Sequence, residues 1–132
     1  MLTLVIGGAG SGKSALAEAL VLKTPGKRVY LATMTASDPE SLARIRRHRE
    51  AREGKGFATL ECGQNLAGAE IPDGANVLLE DLSNLLANEM FSPGGGGPAA
   101  VREGIRKLCA HCTNLTVVSN EVFSAGSDYG EE

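Results

Sequence analysis

The stretch that decides the fold is Thr3-Leu4-Val5-Ile6-Gly7-Gly8-Ala9-Gly10-Ser11-Gly12-Lys13-Ser14. The apolar run from Leu2 to Ile6 predicts a buried β-strand, and the segment from Gly7 to Ser14 matches the pattern G-x-x-x-x-G-K-[ST] at every fixed position. Glycines let the backbone turn so that its N–H groups point at a phosphate. The helix that follows presents its N-terminus to the same anion. The stretch therefore predicts a strand, a phosphate-binding loop and a helix, in that order.

The motif also predicts what its residues do. We expect eight of them to bind nucleotide phosphates: Gly7, Gly8, Ala9, Gly10, Ser11, Gly12, Lys13 and Ser14. Lys13 supplies a mobile charge for the outer phosphates and is a candidate catalytic residue, while the Ser14 hydroxyl is placed to ligate Mg²⁺. The alternative is a glycine-rich turn that binds nothing, which the order of strand, loop and helix disfavours.

Composition limits the classes of protein to consider. A chain of 132 residues is long enough for one domain, residues 1–132, with a substantial core. The net charge of −3 shows no basic excess, so we expect no nucleic-acid partner. The apolar runs have the length of strands, so we expect no membrane span. The first strand begins at the N-terminus and leaves no room for a signal peptide, which predicts a cytoplasmic protein.

Strand and helix patterns alternate along the rest of the chain. Strands are expected at Arg28–Thr33, Phe57–Glu61, Asn76–Leu79 and Leu115–Ser119, a short helix at Asn65–Ala69, and helices from about Lys13 to Lys23, Pro39 to Glu53, Leu82 to Phe91 and Pro98 to Cys112. This alternation after an N-terminal phosphate-binding loop predicts an α/β fold of the P-loop NTPase class, with a mostly parallel sheet and helices on both faces.

Two polar segments follow predicted strands. Ligands of open α/β sheets bind outside the carboxyl ends of strands, so the loop Thr33–Ser37 should lie beside the phosphate-binding loop; a plain connector is the alternative. Glu80 and Asp81 follow the strand Asn76–Leu79 and could position Mg²⁺ or water, or read a base. Their alternative role is an acidic start to the next helix.

The helix predicted from Pro39 to about Glu53 is rich in arginine. Its spacing places Arg44, His48 and Arg52 in one row, four residues apart. The simplest interpretation is a solvated charged face. The functional interpretation is an anion site with a nucleophilic histidine, because guanidinium groups hold phosphate oxygens in a fork and nearby positive charge favours the neutral imidazole.

Several separate stretches together resemble one family. They are Gly-Gly-Ala-Gly-Ser-Gly-Lys-Ser at 7–14, Tyr-Leu-Ala-Thr at 30–33, Arg-Ile-Arg-Arg-His-Arg-Glu-Ala-Arg at 44–52, Thr-Leu-Glu-Cys at 59–62, Leu-Leu-Glu-Asp-Leu-Ser-Asn-Leu-Leu-Ala-Asn-Glu-Met-Phe at 78–91 and Val-Val-Ser-Asn-Glu-Val at 117–122. This combination resembles the adenosylcobinamide kinase/adenosylcobinamide-phosphate guanylyltransferase family of cobalamin biosynthesis. The arginine-rich helix around His48 is its most specific part, and the similarity covers nearly the whole chain.

The resemblance implies two reactions and a set of site residues. Such enzymes phosphorylate adenosylcobinamide with ATP or GTP, then move GMP from GTP through a histidine onto adenosylcobinamide phosphate. The nucleophile falls on His48. Nucleotide contacts fall on the phosphate-binding loop and on Met34, Thr35, Ala36, Arg49, Glu50, Ala51, Arg52, Glu61 and Glu80. The family resembles the RecA-like branch of P-loop folds, uses Mg²⁺ and often forms a homotrimer.

The chain departs from the family pattern in two places. The family continues past Asn-Glu-Val with a further helix and strand, whereas this sequence stops at Glu132, so we expect part of the sheet edge to be uncovered. Asp81 stands where a small neutral residue is more common. Two other functions stay open: a simple P-loop small-molecule kinase with His48 on its surface, and an inactive nucleotide-binding fragment.

Overall fold

The described residues form five strands and four α-helices. The computed structural model describes residues 1–8, 12–34 and 39–120. The elements are β1 Leu2–Gly7, α1 Lys13–Leu22, β2 Arg28–Ala32, α2 Pro39–Arg52, β3 Phe57–Glu61, β4 Asn76–Glu80, α3 Leu82–Phe91, α4 Gly97–His111 and β5 Asn114–Asn120. The sequence-predicted bounds agree to within one or two residues. The short helix expected at Asn65–Ala69 is a 3₁₀ turn at Leu66–Gly68.

The strands form one sheet in the order β1-β5-β4-β2-β3, and every pair of neighbours is parallel. Helix α1 packs on one face of the sheet, whereas α3 and α4 pack on the other. The predicted α/β fold of the P-loop class, with helices on both faces, is therefore confirmed. Because all strands run the same way, their carboxyl ends meet at one edge of the sheet, the carboxyl edge.

Strand β4 lies at the centre of the hydrophobic core. Val77, Leu78 and Leu79 each have a relative exposure of 0%. Side chains alternate along a strand, so Val77 and Leu79 join the cluster under α3 and α4, while Leu78 joins the cluster under α1. The strand that ends in Glu80 is thus fixed from both faces.

Strand β1 differs from the buried strand that its apolar sequence predicts. Leu2, Leu4 and Ile6 are 52%, 51% and 59% exposed, and Val5 is the apolar residue of β1 that is buried. The reason is position: β1 ends the described sheet, and its side chains alternate between the face that α1 covers and the opposite face, where α3 and α4 pack on the central strands but not on β1. Among the described strands β1 pairs with β5 alone; that the sheet edge is uncovered, as the family resemblance implies, stays a prediction.

Two acidic side chains stabilise the segment from α3 to α4. Asp81 is the N-cap of α3 and accepts hydrogen bonds from the Asn84 N–H (2.7 Å) and the Ser83 hydroxyl (2.8 Å). The buried Glu89 carboxylate accepts the backbone N–H groups of Asn65 (2.9 Å) and Gly96 (3.0 Å), and so orders the glycine-rich turn before α4. The cap role accounts for an acidic residue at position 81.

None of the helices in the described ranges combines the length and the apolar composition that crossing a membrane requires.

Candidate nucleotide-binding site

A cavity of about 280 Å³ opens at the carboxyl edge of the sheet. Residues of β2, β3 and β4, the start of α1 and one side of α2 line it. The lining residues are Gly12, Lys13, Ser14, Tyr30, Ala32, Met34, Arg44, Ile45, His48, Arg49, Thr59, Glu80 and Asp81. Met34, in the loop after β2, lines the cavity together with Gly12 and Lys13, and the rest of that loop from Thr35 lies outside the described residues.

The described part of the phosphate-binding loop has the conformation that its glycines predict. Gly12 has a φ of 81°, in the left-handed region that favours glycine, and its carbonyl accepts the Leu16 N–H to begin α1. The Lys13 ammonium lies 3.2 Å from the Gly8 carbonyl oxygen, so the lysine reaches back across the loop. A cation and a helix N-terminus thus face the same space, which suits a bound phosphate.

Glu80 is the centre of the polar contacts in the cavity. One carboxylate oxygen accepts the Ser14 hydroxyl at 2.8 Å. The other accepts the Tyr30 hydroxyl at 3.2 Å and an Arg52 guanidinium N–H at 2.6 Å. Burial raises the pKa of Glu80, but contacts from His48 and Ser14 and the charge of Arg52 outweigh burial and lower that pKa to about 2. Glu80 is therefore a fixed anion at neutral pH.

These contacts place Glu80 at the phosphate end of the cavity. Its two oxygens are already engaged by Ser14, Tyr30 and Arg52. Of the two functions that the sequence left open for this carboxylate, the contacts favour positioning Mg²⁺ or water over reading a base.

Arg52 is not a solvated arginine. Its side chain is 3% exposed, and its guanidinium lies 3.9 Å from the centre of the Tyr30 ring. It also donates to the His48 carbonyl oxygen at 3.0 Å, and its Nε lies 3.8 Å from a Glu18 oxygen. A guanidinium in this position neutralises Glu80 and ties the last turn of α2 to the sheet.

His48 faces the cavity with a side chain that is 32% exposed. Its Nδ1 lies 3.7 Å from the Glu80 carboxylate, so it does not face guanidinium groups alone. Arg44 and Arg49 also line the cavity, and Arg49 donates to Glu61 at 2.8 Å. The interpretation of α2 as only a solvated charged face is therefore wrong for its inner side.

The structure brings together most of the predicted site residues that it describes. Lys13, Ser14, Met34, Arg49 and Glu80 line the cavity together with His48, and Gly12 does so too. Arg52 and Glu61 contact lining residues. Gly7 ends β1 and Gly8 follows it, but neither lines the cavity, and Glu50 is exposed and does not line it either. The predictions for Ala9, Gly10, Ser11, Thr35 and Ala36, and for the side chain of Ala51, lie outside the described residues.

Tyr30 lines the cavity although the sequence predicts no role for it in the site. It lies in the middle of β2, is 4% exposed, and reads in the sequence as an ordinary core aromatic. Burial and the neighbouring Glu80 carboxylate raise the pKa of Tyr30, so its hydroxyl stays protonated and donates. The sequence feature that could have indicated Tyr30 is its hydroxyl group, because a buried tyrosine hydroxyl needs a hydrogen-bond partner.

The second histidine lies at the other end of the sheet. His111 ends α4, and its Nε2 lies 2.8 Å from both the Ile71 carbonyl oxygen and an Asp73 carboxylate oxygen. These residues precede β4 and β5, so they lie at the amino ends of the strands, opposite the cavity.

The donor atoms beside the phosphate-binding loop fit a magnesium ion. Mg²⁺ takes hard oxygen ligands and is held by one or two protein oxygens together with substrate phosphates. The Ser14 hydroxyl and the Glu80 carboxylate, 2.8 Å apart, supply such oxygens at the cavity wall.

Comparison with known proteins identifies the family of this chain. The family model "Cobinamide kinase / cobinamide phosphate guanyltransferase" matches residues 3–128. The bifunctional adenosylcobalamin biosynthesis protein CobU of Salmonella typhimurium is 33% identical over 139 aligned positions, and that of Escherichia coli is 34% identical over 139; each alignment covers 92% of this chain and 76% of the relative. The chain therefore belongs to the cobinamide kinase / cobinamide phosphate guanyltransferase family.

Proposed function

We propose that this member of the cobinamide kinase / cobinamide phosphate guanyltransferase family catalyses two reactions at the cavity described above. In the first, adenosylcobinamide is phosphorylated by ATP or GTP. In the second, GMP passes from GTP to His48 and then to adenosylcobinamide phosphate, giving adenosylcobinamide-GDP. The observation that carries the proposal is that His48 lines the same cavity as Lys13 and Ser14, so one bound triphosphate can meet both the loop and the histidine.

The transfer to His48 is a displacement at phosphorus. A neutral imidazole nitrogen of His48 attacks the α-phosphorus of GTP, the bond to the bridging oxygen breaks, and pyrophosphate leaves. A phosphate oxygen of the acceptor then attacks the same phosphorus, and the bond to the imidazole breaks. Splitting one difficult transfer into two displacements is the advantage of a covalent intermediate. Because Nδ1 lies nearer Glu80, Nε2 is the nitrogen proposed to attack.

The surrounding residues supply position and charge. Lys13 and the N–H groups at the start of α1 hold the phosphates, and Arg44 lines the same cavity one helical turn from His48. A magnesium ion held by Ser14 with Glu80 nearby would neutralise phosphate charge in both reactions. Glu80 stays ionised and fixes the orientation of the groups around it.

The decisive experiment compares two histidine variants. Purified wild-type chain, His48→Ala and His111→Ala are incubated with GTP labelled at either the α- or the γ-phosphate. We expect the wild type and His111→Ala to retain acid-labile α-label but no γ-label, and His48→Ala to retain neither. His48→Ala should still phosphorylate adenosylcobinamide to some extent, because the phosphate-binding loop is intact.

Other outcomes identify the alternatives. Retention of α-label by His48→Ala would contradict the covalent role of this residue. Phosphorylation of the corrinoid without any adduct in the wild type would favour a simple small-molecule kinase. GTP binding without turnover of either kind would favour an inactive nucleotide-binding protein.

A further inference from the structure

Helix α2 carries His48 but adds nothing to the hydrophobic core. None of its described residues belongs to either hydrophobic cluster, and Leu42 is 51% exposed. Among the α2 side chains that the structure describes, Arg52 is the one that is buried. Arg52 is therefore the buried contact that holds α2 over the cavity, beside the exposed pair of Arg49 with Glu61.

Tyr30 forms the surface on which Arg52 lies. The guanidinium is 3.9 Å from the ring centre, a distance at which a cation is attracted to the face of an aromatic ring. The Tyr30 hydroxyl donates to the Glu80 oxygen that also accepts from Arg52. The Tyr30 side chain thus contacts both partners of the buried ion pair, with its ring against Arg52 and its hydroxyl on Glu80.

The same contacts continue to His48. Arg52 donates to the His48 carbonyl oxygen at 3.0 Å, and Glu80 lies 3.7 Å from the His48 imidazole. Both the backbone and the ring of His48 are therefore located by groups that Tyr30 contacts directly.

We propose that Tyr30 is a positioning residue for guanylyl transfer, acting through Arg52 and Glu80 to hold His48 over the cavity. The inference rests on the proposed function in that His48 is taken as the nucleophile. A displacement at phosphorus is sensitive to such positioning, since a misplacement of about 1 Å can slow it about a hundredfold. The ordinary alternative is that Tyr30 only fills the core beside Leu78 and Val118.

Two substitutions separate the parts of this contact. Tyr30→Phe keeps the ring under Arg52 and removes the hydroxyl, whereas Tyr30→Leu removes both. Phe57→Leu is the matched control, because Phe57 packs against the same cluster without lining the cavity. The measured quantity is the single-turnover rate of label transfer from α-labelled GTP at saturating GTP, together with the GTP concentration for half-maximal rate.

We expect Tyr30→Leu to slow labelling at least about tenfold while the half-saturating GTP concentration changes much less. Tyr30→Phe should give a smaller decrease, and Phe57→Leu should label at the wild-type rate. In an Arg52→Lys background the effect of Tyr30→Leu should shrink, because residues that act through one another are not additive. Wild-type labelling by the folded fraction of Tyr30→Leu would overturn the proposal.

A second readout does not depend on guanylyl transfer. The rate at which diethyl pyrocarbonate modifies His48 is measured by peptide mapping, with His111 as the internal reference at the far end of the sheet. Release of α2 in Tyr30→Leu should raise the rate at His48 and leave His111 unchanged, and an unchanged rate at both would contradict the positioning role. If the wild type forms no adduct but Tyr30→Leu shifts this rate, the proposed function fails and with it the role in guanylyl transfer, whereas the placement of His48 by Tyr30 is upheld.

Discussion

The charge on Glu80 should make the free energy of unfolding depend on pH. The substitution Glu80→Gln should remove that part of the dependence. Glu80 has a side chain that is 11% exposed, and it pairs with Arg52 at 2.6 Å. The contacts that lower its pKa exist only in the folded chain, so folding favours the ionised carboxylate. Glu80→Gln keeps the size of the side chain and removes the titrating group.

The size of this effect follows from the two pKa values. A carboxyl whose pKa falls from 4.5 to about 2 on folding stabilises the folded chain at neutral pH by about 3 kcal/mol. Because the folded pKa is the lower one, the stabilisation is complete above the unfolded value and is lost as the pH falls from 4.5 to about 2. About 2 kcal/mol of it should be gone at about pH 3.

The assay is urea unfolding at about pH 7 and about pH 3. Between these conditions the wild type should lose about 2 kcal/mol more than Glu80→Gln, because every other carboxylate is common to both. Glu80→Gln should also be less stable at neutral pH, since the Arg52 charge stays buried without its partner. Glu61→Gln is the control: Glu61 also pairs with an arginine but is 67% exposed, so its pH dependence should match the wild type. Equal losses in the wild type and Glu80→Gln would refute the reasoning.

Two further substitutions test the loop and the turn. Lys13→Ala should weaken GTP binding by about tenfold to a hundredfold, because a charge-assisted contact is worth about 1.5–3 kcal/mol, and it should slow both reactions. The control is Lys23→Ala, at the other end of α1, which should behave as wild type. Full GTP affinity in Lys13→Ala would show that Lys13 is not part of the phosphate site. Gly95→Ala should lower the free energy of unfolding by about 1–3 kcal/mol, because its Cβ would lie 2.1 Å from the Glu89 carbonyl oxygen, and an unchanged urea midpoint would contradict this packing.

The sequence predicts the order and type of the elements well because local signals mark most of their ends. Pro98 lies at the start of α4, and Glu80 and Asp81 mark the end of β4 and the start of α3. The phosphate-binding motif fixes the first strand, loop and helix, and the parallel sheet follows from the alternation. Since ligands bind at the carboxyl ends of parallel strands, the motif also places the site.

What the sequence could not predict depends on contacts between distant segments. Tyr30 and Arg52 are separated by 21 intervening residues, and nothing in either neighbourhood indicates that the guanidinium lies on the ring. The exposure of Leu4 depends on strand order, which places β1 at the end of the described sheet. A run of apolar residues shows that a strand forms but not which neighbours cover it.

The site joins two parts of the fold that are stabilised differently. Glu80 follows Leu79, whose strand is buried on both faces, so the carboxylate is fixed by the hydrophobic core. His48 lies on a helix that is attached through Arg52, by an ion pair, a ring contact and a hydrogen bond. Polar contacts of this kind can be exchanged for contacts to a phosphate or a metal ion, whereas buried apolar contacts cannot. A nucleotide that competed for Ser14 and Glu80 would therefore act on the attachment of the helix that carries the proposed nucleophile, and would leave the sheet beneath it unchanged.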